Sequence, residues 1–479
     1  MPVRLMTDLA EARRTVLRRT PLQDVEATPE LLAASERTWG EPLQPDQVVE
    51  RILRDVRARG DAALWDLTRK LEPAAPPALE IDRAQVERAR GAVPREVAEA
   101  LRVSAEQVRR FHERHVPRSW LDYGPGGSGT GQLILPIERV GLMVPGGRAS
   151  YPSTVVMMAV PARAAGCREI VVCSPPGRDG LPPPATLVAA DICGVDRIFA
   201  IGGAQAVGAM AFGTETVPRV DKIVGPGNIF VALAKRRVYG LVGIDQIAGP
   251  TETLIVADES ADPTAVAADM LAQAEHDPLA SAILLATTAS VGRAVRLELE
   301  RQLVSFERRA IAAASLERNG GIVVTGSLDL ALELANEYAA EHLALMVRDP
   351  WAALAKVRNA GGVFLGETSL EAVGDYTAGP SHVMPTGGTA RFSSPLTVHD
   401  FVKITSVFAL GRSEVERLGP PAAALARAEG LAGHAAAIDL RLNRRSVTPS
   451  AARNLLRPSQ EDPSPPARDD VASRGGQLG

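Results

Sequence analysis

Five of the seven histidines fall in the second half of the chain, several of them beside carboxylate or amide side chains. Gln273 and His276 are three residues apart near the end of an apolar segment with helical periodicity, so both side chains project from one helix face. An imidazole nitrogen and an amide oxygen could supply half of a metal site. The alternative is that His276 only complements the negative end of the helix dipole.

Glu341 and His342 are adjacent at the end of a second helical segment. In a helix their side chains would point about 100° apart, so they could serve two different proton transfers at one site. Histidine is the natural general base near neutral pH, and glutamate can activate water. A polar helix end without chemistry is the alternative interpretation of this segment.

A third segment, residues 374–382, contains Asp375 and His382 and is predicted to be a loop from its glycine and proline content. An aspartate that only stabilises a turn is the alternative there. Glu429 and His434 lie in an alanine-rich C-terminal helix, and this polar pair could face an interface rather than water.

His112 and His115 have a spacing that could bind a metal, but their charged helix predicts a solvated face. The odd, sparse set of cysteines, Cys167, Cys173 and Cys193, does not suggest a disulfide framework. We interpret all three as small buried hydrophobic residues, which leaves no catalytic thiol.

Three glycine-rich turns follow predicted strands, at residues 144–147, 201–205 and 225–228. Each could bring backbone N–H groups and a helix N-terminus to a phosphate. None of them has the spacing of the dinucleotide fingerprint or of the P-loop. The residues alone therefore indicate an α/β enzyme that could bind a metal and a nucleotide.

Short apolar strands alternate with helices in two successive series from Glu138 onward, after a helical region at 45–116. Such alternation is typical of mostly parallel sheets covered by helices. In the second series we predict strands at 253–257, 282–286, 321–324, 343–347 and 363–365. We predict helices there at 263–276, 290–316, 328–342 and 350–360.

The fold class is therefore α/β, with two Rossmann-like, incomplete and mostly parallel domains, a helical N-terminal segment and a C-terminal helical arm. The glycine-rich stretch 125–131 is expected to be a flexible turn. The expected division is a helical segment at 1–135, a first α/β domain at 136–245, a second α/β domain with the candidate metal and acid–base residues at 246–385, a C-terminal helical arm at 386–445 and a disordered, proline-rich tail at 446–479.

The chain has 479 residues, too many for one ordinary core. Its net charge of −4, without a run of lysine or arginine, gives no electrostatic footprint for nucleic acid or an anionic membrane. The charged N-terminus does not resemble a signal peptide, and no run of 18 apolar residues occurs. We expect a soluble, cytoplasmic protein.

The segments described above together resemble the histidinol dehydrogenase family. The resemblance rests on IDQIAGPTE at 244–252, ADMLAQAEHD at 268–277, NEYAAEH at 336–342 and GDYTAGPSHVMPT at 374–386, and it extends from about Val48 to Arg441. It implies oxidation of L-histidinol to L-histidine through bound L-histidinal with two NAD⁺, the final step of histidine biosynthesis. It also implies a homodimer with shared sites and one zinc ion per subunit.

The resemblance implies a role for each matching residue. Gln273, His276 and Asp375 match three zinc ligands, and His434 matches a fourth from the partner subunit. Glu341 and His342 match the acid–base pair: His342 would take the hydroxyl proton and act again in the second oxidation, and Glu341 would activate water.

The resemblance further implies that 136–245 is the NAD-side domain, that 246–385 holds the zinc and acid–base residues, and that the arm at 386–445 contacts the partner in the dimer. The substrate contacts match Thr251, Gln273, His276, His342, Asp375, Glu429 and His434, with His382 expected near them. Gln205 and Asn228 match NAD contacts. The chain departs from the family at Met143, where tyrosine is common, and at Thr251, where serine is common.

Two other functions are compatible with parts of this pattern. A related zinc- and NAD-dependent enzyme could oxidise another small polar alcohol, such as a sulfonate diol, but Glu429 and His434 favour histidinol. A non-catalytic zinc-binding protein would also suit two α/β lobes. A binding role of this kind would favour an exported chain. A binding protein would hold zinc but would not reduce NAD⁺, so NAD⁺ turnover distinguishes the two functions.

Overall fold

The computed structural model describes residues 3–19, 27–124, 127–146 and 150–443. The tail predicted at 446–479 lies outside the described residues, as does Gly147 of the first glycine-rich turn. The chain divides into two compact units. The larger unit comprises Met1–Trp120 and Gln132–Thr405, and the smaller comprises Leu121–Gly131 and Ser406–Gly479.

The N-terminal part of the chain is mainly helical. Its elements are β1 (Leu5–Met6), α1 (Leu9–Arg14), α2 (Pro29–Trp39), α3 (Pro45–Arg59), α4 (Asp61–Leu71), α5 (Arg83–Ala92), α6 (Arg95–Glu113), β2 (Trp120–Tyr123) and β3 (Gly129–Pro136). The helical region predicted at 45–116 is confirmed by α3 to α6. Residues 129–131 belong to β3, so the flexible turn predicted there is wrong for them.

The first parallel sheet follows this region. Its elements are β4 (Arg139–Met143), α7 (Pro152–Ala164), β5 (Glu169–Cys173), α8 (Pro184–Ile192), β6 (Arg197–Phe199), α9 (Gly203–Phe212), β7 (Lys222–Val224), α10 (Ile229–Val238) and β8 (Gly243–Ile244). The strand order is β6-β5-β4-β7-β8, and neighbouring strands are parallel. Counted within the sheet this is 3-2-1-4-5, the Rossmann order without a sixth strand.

The second parallel sheet repeats that order. Its elements are β9 (Glu252–Ala257), α11 (Pro263–Ala274), β10 (Ser281–Ala286), α12 (Ala289–Leu303), α13 (Arg309–Arg318), β11 (Gly321–Val324), α14 (Leu328–Tyr338), β12 (His342–Met346), α15 (Pro350–Leu354), β13 (Gly362–Leu365) and α16 (Glu371–Tyr376). The order is β1-β11-β10-β9-β12-β13, because β1 adds to the edge beside β11.

The predicted strands of the second series are confirmed to within a residue, while the helices need correction. The helix predicted at 290–316 is two helices, α12 and α13, and that predicted at 350–360 ends at Leu354. The two mostly parallel, Rossmann-like sheets are confirmed. Apolar side chains of both sheets are buried on both faces, as expected for parallel strands between helices.

The C-terminal region contains two short 3-10 helices, Thr389–Arg391 and Val398–Phe401, then β14 (Val402–Ala409), α17 (Arg412–Ala428) and α18 (Ala432–Asn443). The helical arm was predicted to begin at residue 386, but its first α-helix begins at Arg412, so the prediction is wrong for the residues before it. Those residues include β14, which lies in a three-stranded sheet of order β14-β3-β2. Within the smaller unit, Ala423 and Ala426 of α17 pack against Ala435 of α18.

The sequence predicted that the three cysteines are buried and that His112 and His115 lie on a solvated face. All three thiols are buried and free, and burial raises the pKa of Cys167 and Cys193 to about 12, so the hydrophobic interpretation is confirmed. His112 is 0% exposed on the inner face of α6, so the prediction of a solvated position is wrong for it, whereas His115 is exposed.

Across the described ranges, no helix is both long and apolar enough to cross a membrane.

Candidate active site

A cluster of polar side chains lies where β9 and β12 begin. The two strands are adjacent and parallel, with His342 in register with Thr253. The structure corrects the sequence here: α14 ends at Tyr338, Ala339 adopts a left-handed conformation, and His342 is the first residue of β12. Glu341 and His342 therefore do not lie in a helix, and the angle of about 100° predicted between their side chains is wrong. Their side chains nevertheless approach, with 3.7 Å between Glu341 Oε2 and His342 Nδ1.

The carboxylate of Glu341 is held by the start of β9. It accepts hydrogen bonds from the Thr251 hydroxyl at 2.6 Å and from the backbone N–H of Glu252 at 2.9 Å. Burial raises the pKa of Glu341 to about 7, although the charge of His342 and the two hydrogen bonds act in the opposite direction. Such a carboxylate can exchange a proton near neutral pH.

The imidazole of His342 is buried among three carboxylates. Its Nδ1 lies 3.1 Å from the backbone oxygen of Glu252 and 3.6 Å from Glu371, and its Nε2 lies 3.5 Å from Asp375. Burial opposes the charged imidazole, but Glu371, Glu341 and Asp375 together raise the pKa of His342 well above its usual value. The imidazole therefore has a high affinity for a proton.

Glu371 belongs to this cluster, although the sequence reasoning missed it. Its carboxylate accepts a hydrogen bond from the Thr253 hydroxyl, and burial raises its pKa to about 7. The segment around Asp375 was expected to be a loop, but Glu371–Tyr376 is the short helix α16. Glu371 and Asp375 are four residues apart and share a helix face, and this spacing is the signal that could have found Glu371.

The end of α11 brings two further predicted residues to the cluster. The Gln273 side-chain amide donates to the Thr251 hydroxyl at 2.9 Å. Nδ1 of His276 lies 3.0 Å from the backbone oxygen of Ala272, so Nδ1 carries the proton, because a carbonyl can only accept. In the neutral imidazole, Nε2 of His276 is then the lone-pair nitrogen, the usual arrangement in an imidazole that binds a metal.

The donor atoms fit a metal ion. Oε1 of Gln273, Oδ1 of Asp375 and Nε2 of His342 are buried and have no hydrogen-bond partner among the described residues. Nε2 of His342 faces Oδ1 of Asp375 at 3.5 Å, so the two side-chain oxygens are the atoms that call for a further partner, because buried polar atoms are rarely left unpaired. His342, Glu371 and Asp375 also place one ligand atom each within 4.8 Å of the others. The two oxygens of Gln273 and Asp375, together with Nε2 of His276, suit zinc among other divalent ions, and Nε2 of His342 is then left for proton transfer.

His382 connects this cluster to the first sheet. Its Nδ1 donates to the backbone oxygen of Asp375 at 2.8 Å, and its Nε2 lies 3.2 Å from the hydroxyl of Thr154 in the first turn of α7. The neighbouring Ser381 hydroxyl donates to the backbone oxygen of Met157 at 3.1 Å. The amino edge of the second sheet therefore meets the carboxyl edge of the first.

The predicted nucleotide residues lie at that carboxyl edge. Gln205 is buried in α9, and its amide donates to Glu72 at 3.3 Å. Asn228 is exposed and caps the N-terminus of α10 by accepting from the backbone N–H groups of Phe230 and Val231. Met143, at the end of β4, is only 3% exposed. The edge beside β4 and β7 is where the strand order reverses, the usual ligand position in such sheets.

Glu429 and His434 lie in the smaller unit. Glu429 is the C-cap of α17, and His434 lies in the first turn of α18. Both side chains are exposed.

The fold and the cluster define an α/β protein with two Rossmann-type sheets and a buried acid–base group between their edges. The model of the histidinol dehydrogenase family matches residues 37–442, and the chain belongs to that family.

Individual relatives agree with the family match. The histidinol dehydrogenase of Deinococcus radiodurans is 52% identical over 438 residues, covering 90% of this chain and 98% of the relative. That of Geobacter metallireducens is 50% identical over 416 residues, covering 86% and 94%. The crystal structure of histidinol dehydrogenase from Elizabethkingia anophelis is similar with a TM-score of 0.83 at 33% identity, covering 92% of this chain and 98% of that one.

Proposed function

We propose that this chain is a zinc- and NAD-dependent histidinol dehydrogenase that oxidises L-histidinol to L-histidine through bound L-histidinal, the final step of histidine biosynthesis. The observation that carries the proposal is the buried Glu341–His342 pair, held by the start of β9 beside Gln273 and Asp375. Membership of the histidinol dehydrogenase family supports it. A biosynthetic role of this kind would place the enzyme in the cytoplasm.

Four residues would hold the metal: Gln273, His276 and Asp375 of one subunit and His434 of the other. The unpaired Oε1 of Gln273 and Oδ1 of Asp375 support the first part of this set. The exposed position of His434 in α18 leaves it accessible to a second copy of the chain. When bound, zinc would anchor and orient the substrate, and NAD⁺, contacted by Gln205 and Asn228, would accept the hydride.

His342 would accept the hydroxyl proton of the alcohol as the carbon loses hydride, which leaves an aldehyde. The three carboxylates around His342 support this role, because Glu341, Glu371 and Asp375 would stabilise the imidazolium that forms when the proton is taken. The Nδ1 proton of His342 is engaged by the Glu252 carbonyl, so Nε2 is the atom that would take the substrate proton. The same nitrogen would act again in the second oxidation.

Glu341 would remove a proton from water as its oxygen adds to the aldehyde carbon, giving the hydrate that the second oxidation converts to the acid. A pKa of about 7 suits a group that accepts and then returns this proton near neutral pH. Thr251, Glu429, His434 and His382 would contact the substrate. The buried thiols support a route without a cysteine nucleophile.

The decisive experiment measures NADH formed per molecule of L-histidinol, with a chelator and after zinc is added back. We expect two NADH per histidinol, lost on chelation and restored by zinc. One NADH would contradict the water-activating role of Glu341 or show that the aldehyde escapes. No NADH from zinc-loaded protein would reject histidinol, and sulfonate diols and other amino alcohols would then be tested.

A further inference from the structure

The turn between β7 and α10 is built around one glycine. Gly225 has φ +115°, and a Cβ there would lie 2.4 Å from the backbone oxygen of Met143 and 2.7 Å from Sδ of Met158. The turn is therefore pressed against the end of β4, at the point where the strand order of the first sheet reverses. It leads directly to Asn228, the N-cap of α10.

Two buried charged side chains hold both sides of Gly225. Its N–H donates to Oδ2 of Asp245 at 2.7 Å, and its carbonyl oxygen accepts from Nζ of Lys235 at 2.8 Å. Lys235 and Asp245 also form an ion pair with each other through Oδ1 of the aspartate. Gly225, Lys235 and Asp245 therefore form a closed ring of hydrogen bonds. The ring fixes both the N–H and the carbonyl group of Gly225.

The burial of this pair is unusual for charged residues. Lys235 is 1% exposed, and the side chain of Asp245 is 4% exposed. Taking two charges out of water is costly, and well-packed apolar residues of similar size often stabilise a fold as well or better. An apolar pair could not hydrogen-bond both the N–H and the carbonyl of Gly225, so geometry is the advantage that the charges bring.

Asp245 also opens the connection between the two sheets. It follows β8, and the connection continues through Gln246, whose amide donates to the backbone oxygen of Met384 at 2.7 Å. Gly249 N–H then donates to the Thr386 hydroxyl at 2.6 Å, before β9 begins at Glu252. One carboxylate therefore ties the turn of the first sheet to the segment that leads to the acid–base cluster.

We infer that Lys235 and Asp245 are positioning residues for the dinucleotide: they fix Gly225, and with it the turn that carries Asn228, at the cofactor edge of the first sheet. The inference rests on the proposed function, since it takes this turn as part of the NAD site. Neither residue touches the reacting atoms. They act through the backbone of Gly225.

The test compares zinc-loaded wild type with the double variant Lys235→Met with Asp245→Asn, which removes both charges together. NADH affinity is measured by fluorescence titration. Histidinol affinity, zinc content and the melting temperature are measured on the same samples. We expect NADH affinity and kcat/KM for NAD⁺ to fall on the order of tenfold to a hundredfold, as for a contact displaced by about 1 Å. Histidinol affinity and zinc content should be retained.

Lys235→Gln with Asp245→Asn provides a milder second variant if the first double variant does not fold. It keeps an acceptor for the Gly225 N–H and leaves no unpaired charge buried, but it removes the ion pair that fixes the turn. NADH affinity should fall in the same direction, with KM for NAD⁺ rising more than kcat falls. An unchanged NADH affinity in a folded variant overturns the inference.

Lys222→Met is the matched control. Lys222 opens the same strand β7 at its other end, and its Nζ donates to the backbone oxygen of Asp400 at 2.6 Å and to its side chain at 3.2 Å. Its loss should leave NADH affinity unchanged, whereas an equal fall would show that any lost ion pair weakens the sheet and would overturn specific positioning. Failure of wild type to form NADH from histidinol would instead reject the proposed function.

Discussion

The backbone carbonyl of Glu252 accepts a hydrogen bond from Nδ1 of His342 at 3.1 Å. Because a carbonyl can only accept, the proton of neutral His342 lies on Nδ1, and Nε2 is left on the side of Asp375. The N–H of Glu252 donates to Glu341. The side chain of Glu252 is itself held by Arg19 and by the N–H of Gly387, so a single anchored residue fixes both members of the acid–base pair.

Glu341→Gln should slow hydration of the aldehyde more than the first hydride transfer. Glutamine keeps the shape and can still accept from Thr251 and from the Glu252 N–H, but it cannot take a proton from water. Single-turnover traces should show the first NADH nearly unchanged and the second slowed by about 10²- to 10⁴-fold. Glu337→Gln, an exposed change close in sequence, is the control. Equal slowing of both phases would contradict the assigned role.

Gln273→Leu should lower zinc content while the subunit stays folded. The substitution removes one hydrogen bond, to Thr251, at a cost of about 1 kcal/mol, together with the unpaired oxygen that we assign to zinc. Thr251→Val removes the same hydrogen bond but leaves the amide oxygen. Metal analysis should therefore separate the two variants. Equal zinc content in both would argue against Gln273 as a ligand.

His434→Ala should weaken zinc and histidinol binding without unfolding the subunit, because His434 is exposed and its side chain supports no packing. Titration calorimetry and metal analysis measure both effects, and circular dichroism checks the fold. His399→Ala changes another exposed histidine and should alter neither. Normal activity of the His434 variant would reject a site shared between subunits.

Gly225→Ala and Gly240→Ala form a matched pair. Both glycines have positive φ, +115° and +98°, but a Cβ at Gly240 would meet no atom within 4 Å. Gly240→Ala should cost about 1–2 kcal/mol from conformation alone. Gly225→Ala should cost about 1–3 kcal/mol more, because Met143 and Met158 must move. Urea unfolding measures the difference, and equal costs would contradict the close packing of the turn.

His112 should make the protein less stable as the pH falls. Burial lowers its pKa from the ordinary 6.5 to about 4, so as the pH falls through this range the unfolded chain takes up a proton before the folded chain does. The stability that neutral His112 contributes is complete above pH 6.5 and is lost towards pH 4, on the order of 2–3 kcal/mol. His112→Leu should flatten this slope in urea titrations at several pH values. His115→Leu, at an exposed position, should leave the slope in place.

The sequence predicted most of the fold because parallel strands buried on both faces leave continuous apolar runs that can be seen locally. It missed β1, whose two residues become a strand only by pairing with β11, more than 300 positions away. It also assigned His112 to water, because the charges around it on α6 concealed a buried face.

The site was predicted as a set of residue types, not as a geometry. Thr251, Gln273, Glu341, His342 and Asp375 do lie together, but their roles remain predictions. Glu371 was missed because α16 was taken for a loop. The anchoring by Glu252 was missed because it operates through backbone groups, which no pattern of side chains reveals.

The carboxyl edge of the first sheet meets the amino edge of the second. The carboxyl edge of the second sheet therefore lies away from the acid–base cluster. The loops after β9 to β12, where a sheet of this order ordinarily binds its ligand, carry none of the residues of the acid–base cluster, and the first of them, at Asp258–Ser260, is largely exposed. For protein engineering, the carboxyl edge of the second sheet is an attachment site. Insertions, labels or fused domains placed there lie one strand length away from the acid–base cluster and do not interrupt the connection between the lobes.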